Sequence, residues 1–326
     1  MSRISTVVFV ILALAGLVPI DAGAQSVPQT SWGKPDLQGV WDFRTLTPME
    51  RPEQFAAGQE LTEEEAAAFS AQVVADASRD SETSARAASA RRGNIIPYND
   101  FWFDQGTSVT SARPSLVVDP PDGRIPPVTA SERQRRNELA RERAGVSSHE
   151  PTPGGFVEDL GLGGLQVRCI LGFNSGPPMT PSAYNNNFQL VQTENYVVLL
   201  TEMINDARVV PLDGRPHLPA SLRQWMGDSR GHWDRDTLVV ETTNFLRETN
   251  FMTTRGGSAS RHLTLIERFT RVDQETLRYD VTVDDPTVWT STWTYSVPMQ
   301  KNPQPIYEYA CHEGNYGLYN ILAGAK

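Results

Sequence analysis

The chain is short of cysteine, of positive charge and of long apolar runs, and each shortage removes a class of function. Its 326 residues include two cysteines, Cys169 and Cys311, and no paired C-x-x-C. Neither H-E-x-x-H, a P-loop nor G-x-G-x-x-G occurs. Familiar metal and nucleotide enzymes therefore drop out, because each needs ligands or glycines at those fixed spacings. The imidazoles and carboxylates are scattered, so no metal and no cofactor is expected. Lys and Arg total 29 against 39 Asp and Glu, a formal charge of -10. A partner held by bulk negative charge, nucleic acid above all, is disfavoured. The only long apolar run, Ile4 to Val18, is shorter than the roughly 20 residues that span a bilayer, and no membrane span is expected.

What is present begins with a leader. Arg3, the apolar run and Ala22-Gly23-Ala24 follow the pattern of a cleaved signal peptide, so residues 1–24 are set aside from the fold. The mature chain is expected in the periplasm or secreted. No cysteine follows the cleavage motif, which argues against a lipid anchor. In an oxidising compartment the two cysteines favour a Cys169–Cys311 bridge over two separate buried thiols.

Residues 25–160 read as an extended and helical N-terminal arm. Thr62 and Glu65 form a capping box ahead of an alanine-rich helix, and Ser131–Ala144 is a second, charged helix. Between them, Arg91–Trp102 and SARPSLVVDPPDGRIPPVT, with one short apolar run at Leu116–Val118, read as an extended wrapping segment. Residues 37–43 alternate as a strand that joins the following domain.

Residues 161–326 are dominated by alternating segments joined by tight turns: 188–193, 196–203, 207–214, 230–233, 237–245, 262–272, 276–283, 288–297 and 306–313. Asp234-Arg235-Asp236 reads as a hairpin turn, where Asp is favoured for its local backbone bonds. With 37–43 the count is ten strands in meander order, and the connections are too short for parallel crossovers. The expected fold is mainly β, an antiparallel meander closing into a lipocalin-like barrel, because closure removes the exposed edges. Two packed sheets are the alternative.

Alternation also sorts the polar residues. Leu263, Leu265 and Phe269 share a face with Glu267, which places a carboxylate among apolar neighbours where it must pair, bond or change its pKa. Arg208, Arg230 and His232 are its nearest donors in meander order, and an internal ion pair fits as well as catalysis. In GDSRGHW, two glycines flank a charged group at a strand mouth, and Asp228 with His232 forms a candidate acid/base couple beside Arg230. An ordinary hydrogen-bonded loop histidine is the competing reading. The last segment, with its cysteine bridged, holds Arg168, His312, Glu313 and Asn315 near one another. His232, Asp228, Arg230, Glu267 and His312 are the candidate catalytic residues. Arg168, Arg208, Asn244, Trp289, Trp293, Tyr307, Glu313 and Asn315 are the candidate substrate contacts, although packing is the commoner use of such aromatics.

The segments SLVVDPPDGRIPP, QLVQTENYVVLLTE, RVVPLDGRPH, GDSRGHW..DTLVVETTNF and YEYACHEGNYGL resemble a large group of exported bacterial proteins. That resemblance implies export and carries no catalytic assignment. Gly39-Val40-Trp41 is similar to the G-x-W that opens the first lipocalin strand. The functions in view are an exported, cofactor-independent hydrolase, lyase or isomerase acting on a small organic molecule from a barrel pocket, a lipocalin-like carrier of an apolar ligand, or a structural envelope protein.

Overall fold

A computed structural model of the chain describes residues 27–78, 100–142, 144, 168–246, 259–316, 319 and 323. The expected leader at 1–24, the Arg91–Asn99 part of the wrapping segment and the domain boundary at 160–161 lie outside the described residues.

Ten strands form one antiparallel sheet: β1 (Gly39–Asp42), β2 (Val117–Asp119), β3 (Asn187–Gln192), β4 (Tyr196–Thr201), β5 (Ala207–Pro211), β6 (Asp228–Asp234), β7 (Thr237–Thr243), β8 (Thr264–Arg271), β9 (Thr276–Asp284) and β10 (Trp293–Asn302). The hydrogen-bonded order is β5-β4-β3-β1-β10-β9-β8-β7-β6, with β2 on β10. β1, from the arm, thus joins two meanders by pairing with β3 on one side and β10 on the other. The β6–β7 hairpin closes at Asp234↔Thr237, and Arg235 takes a left-handed conformation in the two-residue turn.

One expected strand is absent. Residues 306–313 run as coil and turn, and the tenth strand is β2 instead. The reason is apolar content: Leu116 and Val117 are fully buried, whereas 306–313 alternates without an aliphatic face. β10 also starts later than expected, because Asp285 caps a turn by accepting from the N–H groups of Ser260 and Thr287.

The ladder does not continue from β5 to β6, so the sheet is not a closed barrel. At that seam side chains meet in place of backbone: a Cβ on Gly231 would lie 2.6 Å from Leu212 and 3.0 Å from Val210. The sheet is nevertheless strongly curled. β5 and β8 stand six strands apart in the order, which in a flat sheet is roughly 29 Å at ~4.8 Å per strand. Arg208 of β5 nonetheless pairs directly with Glu267 of β8. The concave face holds one continuous apolar core including Trp41, Phe188, Leu199, Leu238, Phe269, Val281, Trp293 and Met299.

Two helices whose bounds are described lie outside the sheet. α1 (Glu63–Ala77) begins at the expected capping box: Thr62 Oγ1 accepts from the Glu65 N–H, and the Glu65 carboxylate accepts from the Thr62 N–H. α2 (Ala130–Glu142) is charged almost all round and lies at the surface as expected, with Glu132 buried and clamped by Arg135 and Arg136.

Candidate functional site

Two clusters of ionisable groups stand out, one inside the sheet and one on its outer face. The inner one is built from alternating residues of β5, β8, β9 and β10. Glu267 faces inward as the alternation predicts and is 0% exposed. Its partner is Arg208, which donates to both carboxylate oxygens, Nη2 to Oε1 at 2.8 Å. Tyr279 Oη donates to Glu267 Oε1 at 2.7 Å. Burial opposes the charge on Arg208, but the adjoining carboxylate outweighs it and holds the guanidinium above its usual range. Burial, reinforced by the Glu267 charge, pushes both Tyr279 and Tyr295 well above the ordinary phenol value. The network is closed: bidentate geometry and a phenol satisfy the carboxylate where water does not reach. Such a pair pins β5 across the fold to β8, which is the register-fixing reading of Glu267.

The outer cluster grows from the β6 segment GDSRGHW. Ser229 and Gly231 face the core, so Asp228, Arg230 and His232 face outward. Gly227-Asp228-Ser229-Arg230-Gly231 also spells G-x-S-x-G, but Ser229 is buried within a strand and bonded to Thr242 Oγ1 at 2.9 Å, not displayed on a strand-to-helix turn. The expected Asp228–His232 couple does not form. Four residues apart on one strand, the two are separated by roughly 13 Å, and His232 is exposed.

A different histidine takes that place. The connection after β5 folds over β6 and β7 and sets His217 Nδ1 2.8 Å from Asp228 Oδ2 and its Nε2 3.2 Å from Glu241 Oε1. Asp228, 5% exposed, also accepts from the Leu218 N–H at 2.9 Å and from Arg230 Nη1 at 2.7 Å. Arg230 Nε reaches the Pro216 carbonyl, and Asn244 Nδ2 donates to the Leu218 carbonyl at 2.8 Å. Three expected residues, Asp228, Arg230 and Asn244, therefore converge on a loop whose histidine the sequence reading passed over. Its signal was RPHLP at 215–219, overlapping the end of RVVPLDGRPH, where Pro216 and Pro219 hold a lone imidazole in an extended segment.

The remaining expected residues lie elsewhere. Trp289 and Trp293 pack edge to face in the core at 5.6 Å. The Cys169–Cys311 bridge is present, and Asn315 Nδ2 donates to Cys169 Sγ at 3.6 Å. Arg168, Tyr307, His312 and Glu313 are exposed around it. Among the described residues no group of three or more His, Cys, Asp or Glu is arranged to hold a metal ion, and no helix is long and apolar enough to cross a membrane.

Chemically, a buried carboxylate that fixes Nδ1–H of an imidazole leaves Nε2 as the working nitrogen. A neutral imidazole has one N–H, so both carboxylate contacts are hydrogen bonds together only for the imidazolium. The Glu241 side chain is 48% exposed, so the Nε2 side of the ring opens to solvent. No protein-family model, curated protein or solved structure matches the chain.

Proposed function

We propose that this chain is an exported enzyme that performs acid/base chemistry on a small organic molecule, with His217 as the proton carrier. The observation that carries the reading is the buried Asp228 carboxylate holding His217 Nδ1 at 2.8 Å while Nε2 faces a solvent-accessible side. Neutral Nε2 takes a proton from a water or from an acidic carbon of the substrate; Asp228 stabilises the imidazolium, which returns the proton to the leaving or rearranged group. Glu241, at 3.2 Å, yields its place to substrate or relays the proton. Arg230 fixes Asp228 and is not itself a proton carrier. Hydrolysis, elimination and isomerisation all fit this proton balance.

Periplasmic or secreted residence is supported by the leader-like start and the Cys169–Cys311 bridge. Kinship with the exported bacterial group stays part of the same reading. A lipocalin-like barrel body is supported by the sequential strand order, with β1 on β10 and a single seam between β5 and β6.

The test is turnover across a panel of small esters, glycosides and lactones. His217→Ala and Asp228→Asn should each lower the rate by about 10²- to 10⁴-fold with circular dichroism unchanged, whereas His232→Ala should leave it intact. Full turnover in His217→Ala, or loss in His232→Ala alone, would overturn the assignment. A second reading, a lipocalin-like carrier, is favoured by one observation: Tyr279 and Tyr295 present hydroxyls inside the apolar fold to a segment that is not part of the sheet.

A further inference from the structure

The polar groups inside the sheet grip a piece of the chain itself. Residues 174–182, NSGPPMTPS, run inward ahead of β3. Met179, 1% exposed, gives its N–H to Tyr279 Oη at 3.1 Å and takes the Tyr295 hydroxyl on its carbonyl at 2.9 Å. One acceptor and one donor, backed by the Arg208–Glu267 pair, are thus turned toward the N–H and the C=O of one residue, both neutral and belonging to adjacent peptide groups. The surrounding wall is aromatic: Phe269 lies 4.9 Å from Tyr279 and Trp293 5.9 Å from Tyr295.

The strap is bonded at its ends, where Asn174 Nδ2 donates to the Tyr184 and Asn185 carbonyls and the Ser182 N–H and C=O both bond the Asn186 side chain, but it is not fully satisfied. Asn174 Oδ1, Thr180 Oγ1 and Ser182 Oγ are buried and have no hydrogen-bond partner among the described residues, although Asn174 and Thr180 are each 1% exposed. Pro177, Pro178 and Pro181 contribute no N–H to hold it down. Buried polar atoms are ordinarily satisfied, so three orphans within nine residues mark a segment whose seated position is poorly compensated. The sheet walls beside it are bonded throughout by their ladders.

We propose that the 174–182 strap is a displaceable plug, and that the site beneath it binds the carboxamide head of a small apolar molecule on Tyr279 and Tyr295. The head is neutral because Arg208 and Glu267 already cancel and both phenols remain protonated. The apolar tail takes the space that Met179 fills in the core. This deepens the carrier reading and rests on it; the His217 chemistry is independent of it.

The experiment is calorimetric titration of the mature protein with octanamide and with octanoate, paired with hydrogen–deuterium exchange over the peptides covering 174–182. Octanamide should bind at least about tenfold more tightly than octanoate, and its binding should speed exchange in the strap. Thr180→Val replaces an unsatisfied hydroxyl with a methyl, so it should raise Tm and weaken octanamide about tenfold by holding the plug in place. Tyr295→Phe should abolish the preference for the amide. If both probes bind equally with strap exchange unchanged, the plug is refuted and the carrier reading survives. If neither binds, both fall.

Discussion

Replacing Glu267 with glutamine isolates the charge of the buried pair, because the side chain keeps its shape and still offers an oxygen to Tyr279. Arg208, whose side chain is 9% exposed, then faces an amide where it had a bidentate carboxylate. Breaking such a pair at one end costs about 3–5 kcal/mol, since the remaining charge is left without compensation. A domain has about 5–15 kcal/mol in all, so the loss is about a fifth or more of it. At about 2 °C per kcal/mol for a chain of this length, Tm falls by roughly 6–10 °C. Adding Arg208→Met removes the stranded guanidinium and should restore stability to within about 1–2 kcal/mol of the parent. Guanidinium chloride unfolding followed by tryptophan fluorescence reads both, since Trp41 and Trp293 are fully buried. A single variant within about 1 kcal/mol of the parent, or a double variant less stable than the single, would refute the pinning of β5 to β8.

Two further outcomes follow from the seam and from the β4–β5 turn. Gly231→Val places a branched side chain against Val210 and Leu212, where even a Cβ lies at 3.0 and 2.6 Å, and should cost about 1–3 kcal/mol by urea unfolding; tolerance of it would show that the seam is open. Burial pushes Asp206 up to about 6 from 3.8, and its Oδ2 has no partner among the described residues. The folded state therefore binds this proton more tightly than the unfolded state: the stabilisation is fully present below pH about 4 and is lost as pH rises through about 6. Asp206→Asn should remove that slope, worth roughly 1–2 kcal/mol after allowance for partial exposure, in melts at pH 4 and 7. An unchanged pH profile in the variant would refute it.

Local chemistry predicts the pieces of this fold that depend on neighbours in sequence. The Thr62–Glu65 capping box and the Asp234–Asp236 turn form as expected because their bonds close within a few residues. The inward aim of Glu267 follows from period-two alternation alone. Its partner does not: Arg208, Arg230 and His232 are the nearest donors in meander order, none of them stands on a strand next to β8, and only the curl of the sheet brings Arg208 across. The exchange of 306–313 for Val117–Asp119 has a related cause. A short apolar run inside a proline-rich segment looks like loop material until β10 offers it an edge, as it does at Tyr295↔Val117.

The two clusters also divide the polar work of the molecule in a way that alternation only half discloses. Asp228 and His232 share the outer face, and by sequence alone the nearer histidine is the natural partner. What decides otherwise is desolvation. A carboxylate on an outer face stays in water unless something covers it, and the cover here is the 212–227 connection, which brings Leu218 N–H, Pro216 and His217 with it. Asp228 is buried only because that loop lies over it, and His217 is oriented only because Asp228 is buried. Inside, both oxygens of Glu267 are hydrogen-bonded and no solvent reaches it, so the network can hold strands but has no open side for a substrate. Outside, one ring nitrogen faces a half-exposed carboxylate that can move. Proton transfer needs both a fixed partner and an open side, and of the two clusters it is His217 with Asp228 that has them.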